Sequence, residues 1–100
     1  MKQEDILKVV QAALKGIKKV KVTFKPKMAY RIAYYLVRMH YCGLISFNSD
    51  DNLLLKNVIQ GDNLDGDKVY ALTITFTDTF KVVTFLELME NTIDTIEIVS

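Results

Sequence analysis

The stretch that decides the fold class is KVKVTFK, residues 19–25. Val20, Val22 and Phe24 alternate here with lysine and threonine. A period of two is typical of a β-strand that buries one face. Pro26 follows and predicts the end of this strand, because proline has no amide hydrogen for a sheet ladder. We therefore expect a strand with a buried apolar face and a basic exposed face.

Helices are predicted on both sides of this strand. Upstream, apolar residues recur at helical spacing as far as Gly16 and lysines follow, so we expect an amphipathic helix that ends near Lys18 or Lys19. Downstream, proline suits the first turn of a helix, where its missing amide hydrogen is not needed. A second helix is therefore expected from about Lys27 to Tyr41, closing at Gly43.

The residues that follow predict strands. Residues 44–47 are expected to form a short strand before the turn-rich residues 48–52. The apolar run at residues 53–59 has no clear period, and its shortness favours a strand. Residues 69–76 alternate clearly between apolar and smaller or polar side chains. They should form a hairpin with residues 53–59 across the loop at residues 61–67.

A third helix is predicted near the end of the chain, although its signals conflict. Thr77 or Asp78 can cap a helix that runs to about Asn91. The β-branched residues 82–84 favour a strand instead. We favour the helix, because the apolar and acidic residues of this segment recur at helical spacing.

Residues 93–99 are expected to form a last strand, with Ile96 and Ile98 on its buried face. The predicted order is then α-β-α-β-β-β-α-β, which has too few βα alternations for a doubly wound parallel sheet. The chain has 100 residues, half of them apolar. We expect a single small α+β domain over residues 1–100, with a mixed or antiparallel β-sheet packed with two to three helices.

Charge is sorted along the chain. Residues 1–42 contain ten basic and two acidic residues, whereas residues 43–100 contain three lysines and ten acidic residues. Such asymmetry can mark a basic surface for nucleic acid or an acidic surface for a basic partner. It also arises when the two halves pack together and neutralise each other, and we favour this interpretation.

The sequence predicts no association with a membrane. Its longest apolar runs span only a few residues, far short of the roughly 20 that cross a bilayer. The first residues carry charge and lack the apolar core of a signal peptide. The single cysteine cannot form an intramolecular disulfide, so we expect a cytoplasmic protein.

No residue pattern predicts catalysis or a metal site. His40 and Cys42, the only histidine and the only cysteine, are two residues apart in a predicted helix and so point in different directions. The acidic loop at residues 61–67 matches a calcium loop only in part, because aligning Gly66 puts Leu72 where a bidentate glutamate belongs. We therefore expect a non-enzymatic protein with no metal, no cofactor and no small-molecule substrate.

The second predicted helix is apolar around most of its circumference. One face is expected to pack in the core: Met28, Ile32, Tyr35, Leu36, Met39 and Cys42. The far side carries a second stripe, flanked by two arginines: Tyr30, Tyr34, Val37, Tyr41, Arg31 and Arg38. Because a helix of this kind is normally covered on more than one side, something must pack on the tyrosine stripe.

Three kinds of group can cover this stripe: another element of this chain, a partner protein, or unpaired nucleic-acid bases. We favour protein–protein contact, either self-association as a homodimer or a role as a subunit or inhibitor in a complex, because tyrosine and arginine dominate the binding energy of many interfaces. The residues expected to bind the partner are Tyr30, Arg31, Tyr34, Arg38 and Tyr41. The alternative is a nucleic-acid-binding protein that uses Lys21, Lys25, Lys27, Arg31 and Arg38.

Overall fold

Residues of the KVKVTFK stretch form β1 (Lys19–Phe24), the central strand of an antiparallel sheet. The computed structural model describes residues 2–25, 29–59 and 71–99, without the side chains of residues 29, 30, 54 and 57–59. In this part of the chain, β2 (Ala71–Thr75) and β3 (Ile93–Ile98) pair with β1 on either side, in the order β2-β1-β3. The predicted α+β fold is confirmed, and of the two expected arrangements, mixed or antiparallel, the described sheet has the antiparallel one.

Helices cover one face of this sheet. The described residues form α1 (Gln3–Leu14), α2 (Ala29–Tyr41), α3 (Ser49–Ile59) and α4 (Thr79–Met89), and a 3₁₀ turn (Glu90–Thr92) follows α4. This makes four α-helices in the described part, where the sequence predicted two or three. Among the helices, α1 packs on α4 and α2 packs on α3.

The core lies between the helices and one side of the sheet. The apolar face of β1 is buried as the alternation predicted, and β2 contributes its own alternating apolar residues. The sheet side of the core consists of Val20, Val22, Phe24, Leu72, Ile74, Phe76 and Ile93. The helices close over it with Val9, Ala13, Ile32, Ala33, Leu36, Leu55, Val82, Phe85, Leu86 and Met89.

The opposite face of the sheet is exposed and polar. Lys19 and Lys21 of β1 lie on it, as the period of two predicted. Lys21 is directly opposite Thr73 on β2 and Glu97 on β3. A lysine and a glutamate on neighbouring strands attract each other, so the sheet brings charges from the two halves of the sequence together.

Indeed, the two halves of the chain interleave throughout the fold. The basic strand β1 lies between two strands from the second half, and α1 packs on α4. This arrangement agrees with the interpretation in which the basic and acidic halves pack together, and not with a fold that keeps the basic half apart.

Two predictions for residues 44–59 are wrong. Residues 53–59 belong to α3, so they form no hairpin with β2. The cause is the segment read as a turn: the Asn48 side chain accepts a hydrogen bond from the amide of Asp51 at 2.8 Å and caps the helix. The strand expected at residues 44–47 is reduced to a single bridge between Ser46 and Thr75.

Glycines end α1 and α2 in the same way. Gly16 and Gly43 adopt positive φ angles of 96° and 78°. At the second of these ends, the amide of Leu44 donates to the carbonyl oxygen of Met39, and the amide of Gly43 donates to that of His40. This pattern satisfies carbonyl groups that the helix leaves open. The end of α2 is as predicted, whereas α1 ends at Leu14, earlier than residues 18–19.

The helix predicted after Thr77 is confirmed as α4. Asp78 is its cap, accepting a hydrogen bond from the amide of Lys81 at 2.9 Å. The following strand is also confirmed, but its buried residue is Ile93, while Ile96 is half-buried and Ile98 is exposed. Ile96 and Ile98 lie opposite the buried Val22 and Val20, so they are on the core side as predicted, but at the edge of the described sheet they are covered less completely. The irregularity in the pairing after Thr23 places Ile93 on the same side.

Candidate partner-binding surface

The buried side of α2 is centred on Ile32, Ala33 and Leu36. The sequence placed Tyr35 and Cys42 on this side, but both are exposed, Tyr35 by 44%. Ala33 is buried in their place, and α2 packs on α3. Met28 lies outside the described residues, and Met39 is half-buried as a neighbour of the core.

The tyrosine stripe of α2 faces solvent in the described part of the structure. Tyr34 is 41% exposed and Tyr41 is 91% exposed, while Val37 packs at the edge of the core. Tyr30 belongs to α2, but its side chain lies outside the described part. The described elements of the chain therefore leave the rings of Tyr34 and Tyr41 available to a partner.

Arg38 is held in place by Tyr34. Its Nη1 atom donates a hydrogen bond to the Tyr34 hydroxyl at 3.2 Å, and its guanidinium carbon lies 5.4 Å from the centre of the ring. The Tyr34 ring also meets Tyr35 edge to face, with centroids 6.0 Å apart. These contacts fix the position of the Arg38 guanidinium without neutralising its charge, because tyrosine is uncharged. The hydrogen bond to Tyr34 uses one of the five donors of the guanidinium.

An open groove of about 650 Å³ lies beside this face of α2. Its lining is mainly apolar and comes from two distant parts of the chain, residues 31–44 and residues 88–92. The lining residues are Arg31, Tyr35, Arg38, Met39, Cys42, Leu44, Leu88, Met89, Asn91 and Thr92. Leu88 of α4 is 61% exposed and lines the groove, so a large apolar side chain is open to solvent there.

The residues that the sequence predicted to bind a partner or nucleic acid lie on two different surfaces. Arg31 and Arg38 line the groove, and Tyr34 and Tyr41 lie on the exposed part of α2. Lys21 belongs to the open face of the sheet, on the other layer of the fold, and the exposed Lys25 follows β1 by the same alternation. Lys27 lies outside the described residues.

His40 and Cys42 have separate surroundings. The Nδ1 atom of His40 donates to the carbonyl oxygen of Ile45 at 3.3 Å, and its ring stacks on Phe47 with centroids 4.5 Å apart. Cys42 lines the groove instead. His40 therefore contacts the segment after α2, whereas Cys42 faces the groove.

Across residues 2–25, 29–59 and 71–99, no cluster of three or more histidine, cysteine or acidic residues could hold a metal ion. The acidic loop at residues 61–67 lies outside these ranges. The helices in the described part are too short or too polar to cross a membrane.

The groove contains residues that the sequence did not single out as functional. Leu44 and Leu88 are separated by more than forty positions, so no local pattern joins them. Comparison with protein-family models, with curated proteins and with solved structures finds no match.

Proposed function

We propose that this protein is a non-enzymatic interaction module that binds a protein partner through α2 and the adjoining groove. The observation that carries the proposal is the exposure of Tyr34 and Tyr41 beside two arginines and an apolar groove. Tyrosine supplies a large contact area at a small entropic cost, and arginine supplies a planar fork of donors. An apolar groove next to such residues is typical of a protein interface.

The partner is either a second copy of this chain or another protein, and we place the interaction in the cytoplasm. The single exposed cysteine supports the cytoplasmic setting, because a free thiol persists more readily in a reducing compartment.

Nucleic acid is the less favoured partner. Binding to single strands combines phosphate-binding cations with aromatic rings for the bases. Here Lys21 lies on the open sheet face, whereas the tyrosines lie on α2 in the helical layer. The described strand residues on the open face are mainly threonine and lysine, and the ring of Phe47 borders that face beside Lys19, Thr73 and Thr75. The sheet lysines and the tyrosines of α2 therefore belong to separate surfaces, so a strand bound at the tyrosines would draw on Arg31 and Arg38 and not on Lys21.

The proposal is tested first by molar mass. Size exclusion with light scattering, with absorbance read at 260 and 280 nm, separates a dimer, a monomer and a nucleic-acid complex. We expect a protein-like absorbance ratio, and a dimer should fall to a monomer in the Tyr34→Ala/Tyr41→Ala variant. The matched control is Leu7→Ala/Leu53→Ala, which removes two exposed apolar side chains from α1 and α3.

If the wild type is a monomer, the same three proteins serve as baits for crosslinked capture from extracts of the source cells. A partner retained by the wild type and the control, but lost by the tyrosine variant, supports the proposal. Equal behaviour of all three proteins in both experiments contradicts it. Co-eluting nucleic acid with a steep salt dependence would establish the alternative instead.

A further inference from the structure

The two arginines of the groove are spaced by two helical turns. Arg31 and Arg38 are seven residues apart on α2, and both line the groove. At 1.5 Å per residue, their backbone positions are separated by about 10 Å along the helix axis. Tyr35 lines the same wall between them. The wall therefore offers two positive charges at a defined spacing, with an aromatic ring in the middle.

The remainder of the groove offers apolar contact. Met39 and Leu44 contribute from the side of α2, and Leu88 and Met89 contribute from α4. From Arg31 to Cys42, which lies just past the end of α2, the lining spans eleven residue steps, or about 16 Å at the helical rise. A ligand that fills this length needs an apolar side and two anionic groups about 10 Å apart.

An amphipathic helix has these properties. Two carboxylates seven residues apart lie on the same side of a helix, and apolar residues three and four positions after the first lie between them. We propose that the groove binds an acidic amphipathic helix of a partner protein, whose paired carboxylates meet Arg31 and Arg38. This inference rests on the proposed function and specifies the partner.

The spacing of the two arginines favours an acidic helix over two other occupants, a small anionic molecule and a second copy of this chain. A small molecule with one anionic group would engage one arginine and leave the second unused. A second copy of the chain offers no matching helix in its described part, since the acidic residues of α1, α3 and α4 have no acidic residue seven positions later within the same helix. Both occupants remain outcomes of the test below.

The test uses fluorescein-labelled helical peptides and fluorescence anisotropy with the purified full chain. The first peptide has two glutamates seven residues apart with two leucines between them, in an alanine and glutamine background. A second has the same composition with the glutamates five residues apart, which puts them on different sides of the helix. A third has glutamine in place of both glutamates. We expect the first peptide to bind about tenfold or more tightly than the other two, and more weakly as salt is added.

Charge reversal of the protein provides the second arm. Arg31→Glu/Arg38→Glu should abolish binding of the first peptide and allow binding of a peptide with lysines at the two glutamate positions. The control is Lys8→Glu/Lys15→Glu, two exposed lysines that are also seven residues apart but lie on α1 and its end. This control should leave the binding of the first peptide unchanged.

Cys42 reports where the peptide lies. It is the only cysteine of the chain and lines the groove, so a bound peptide should slow its alkylation by iodoacetamide. Equal binding of the three peptides, no response to charge reversal, or unprotected Cys42 would each overturn the acidic-helix inference. These results concern the occupant of the groove. The proposed function is contradicted separately, by a tyrosine variant that keeps the mass and the captured partner of the wild type, or by co-eluting nucleic acid with a steep salt dependence. If a free carboxylate bound as tightly as the first peptide, or if the chain formed a stable dimer through the groove, the occupant would be that molecule and not an acidic helix.

Discussion

The side-chain nitrogen of Lys81 donates a hydrogen bond to the carbonyl oxygen of Gly43 at 3.1 Å. Lys81 lies in the first turn of α4, and Gly43 lies just beyond the end of α2. The bond therefore joins the two helices that line the candidate groove. A positive charge at the end of α2 also interacts favourably with the helix dipole.

Loss of this bond should destabilise the fold modestly. Lys81→Met keeps most of the side-chain length but removes the donor and the charge, so we expect a cost of about 0.5–1.5 kcal/mol. Urea unfolding followed by circular dichroism measures it. Lys8→Met on the exposed side of α1 is the control and should change stability by less than about 0.5 kcal/mol. Equal effects of the two substitutions would show that the bond contributes nothing.

Gly43→Ala should destabilise the end of α2 through its backbone alone. The φ angle of Gly43 is 78°, and a Cβ atom added there meets no other atom within 4 Å. The cost is therefore that of a left-handed conformation, about 1–2 kcal/mol. Gly43→Asn should cost less, because asparagine tolerates this conformation better. The prediction is wrong if alanine and asparagine give the same urea midpoint.

Two phenylalanines of α4 allow burial to be tested within one helix. Phe85 is 0% exposed and packs against Phe76 with ring centroids 5.3 Å apart, whereas Phe80 is 78% exposed. Phe85→Ala should cost about 3–5 kcal/mol, a large part of the stability of a small domain. Phe80→Ala should cost less than about 0.5 kcal/mol. Similar losses of thermal stability in the two variants would contradict the arrangement of α4.

The parts of the fold that the sequence predicted are those in which local chemistry and burial agree. The alternation of Val20, Val22 and Phe24 gives β1 its buried face, and the same pattern predicts β2. Gly43 marks the end of α2 because only a residue that tolerates positive φ completes that turn. These signals act over a few residues, so the sequence alone contains them.

The predictions were wrong where a residue suits two kinds of local structure, or where contacts between distant parts of the chain determine which side chains are buried. Asn48 and the acidic residues after it suit a turn as well as the first turn of a helix, and only the helical hydrogen bond from Asp51 distinguishes them. On α2, Ala33 is buried and Tyr35 is exposed, because the side of a helix that is covered depends on its packing against other elements, such as that of α2 on α3. The groove depends on residues 31–44 and 88–92 meeting, which no periodic pattern encodes.

Asp51 supplies a prediction for pH dependence. Partial burial raises the pKa of its carboxyl group, the neighbouring carboxylate of Asp50 raises that pKa further, and a hydrogen bond with Asn48 opposes the change. Since the folded state holds this proton more tightly than the unfolded state, ionisation of Asp51 lowers the free energy of unfolding. The loss sets in as the pH rises through the ordinary value of 3.8 and is complete above the raised pKa of the folded state.

We therefore expect Asp51→Asn to gain stability relative to the wild type as the pH rises from 3 to 7, because asparagine has no proton to lose. The measurement is the free energy of unfolding in urea at several pH values within that range. Asp50→Asn is the informative companion: it removes a charge that raises the pKa of Asp51, so it should shift the pH-dependent loss from Asp51 to lower pH and reduce its size. A difference between Asp51→Asn and the wild type that is constant across the range, or that moves in the opposite direction, would mean that the favourable interaction of an acidic residue with the first turn of α3 outweighs burial and the repulsion from Asp50.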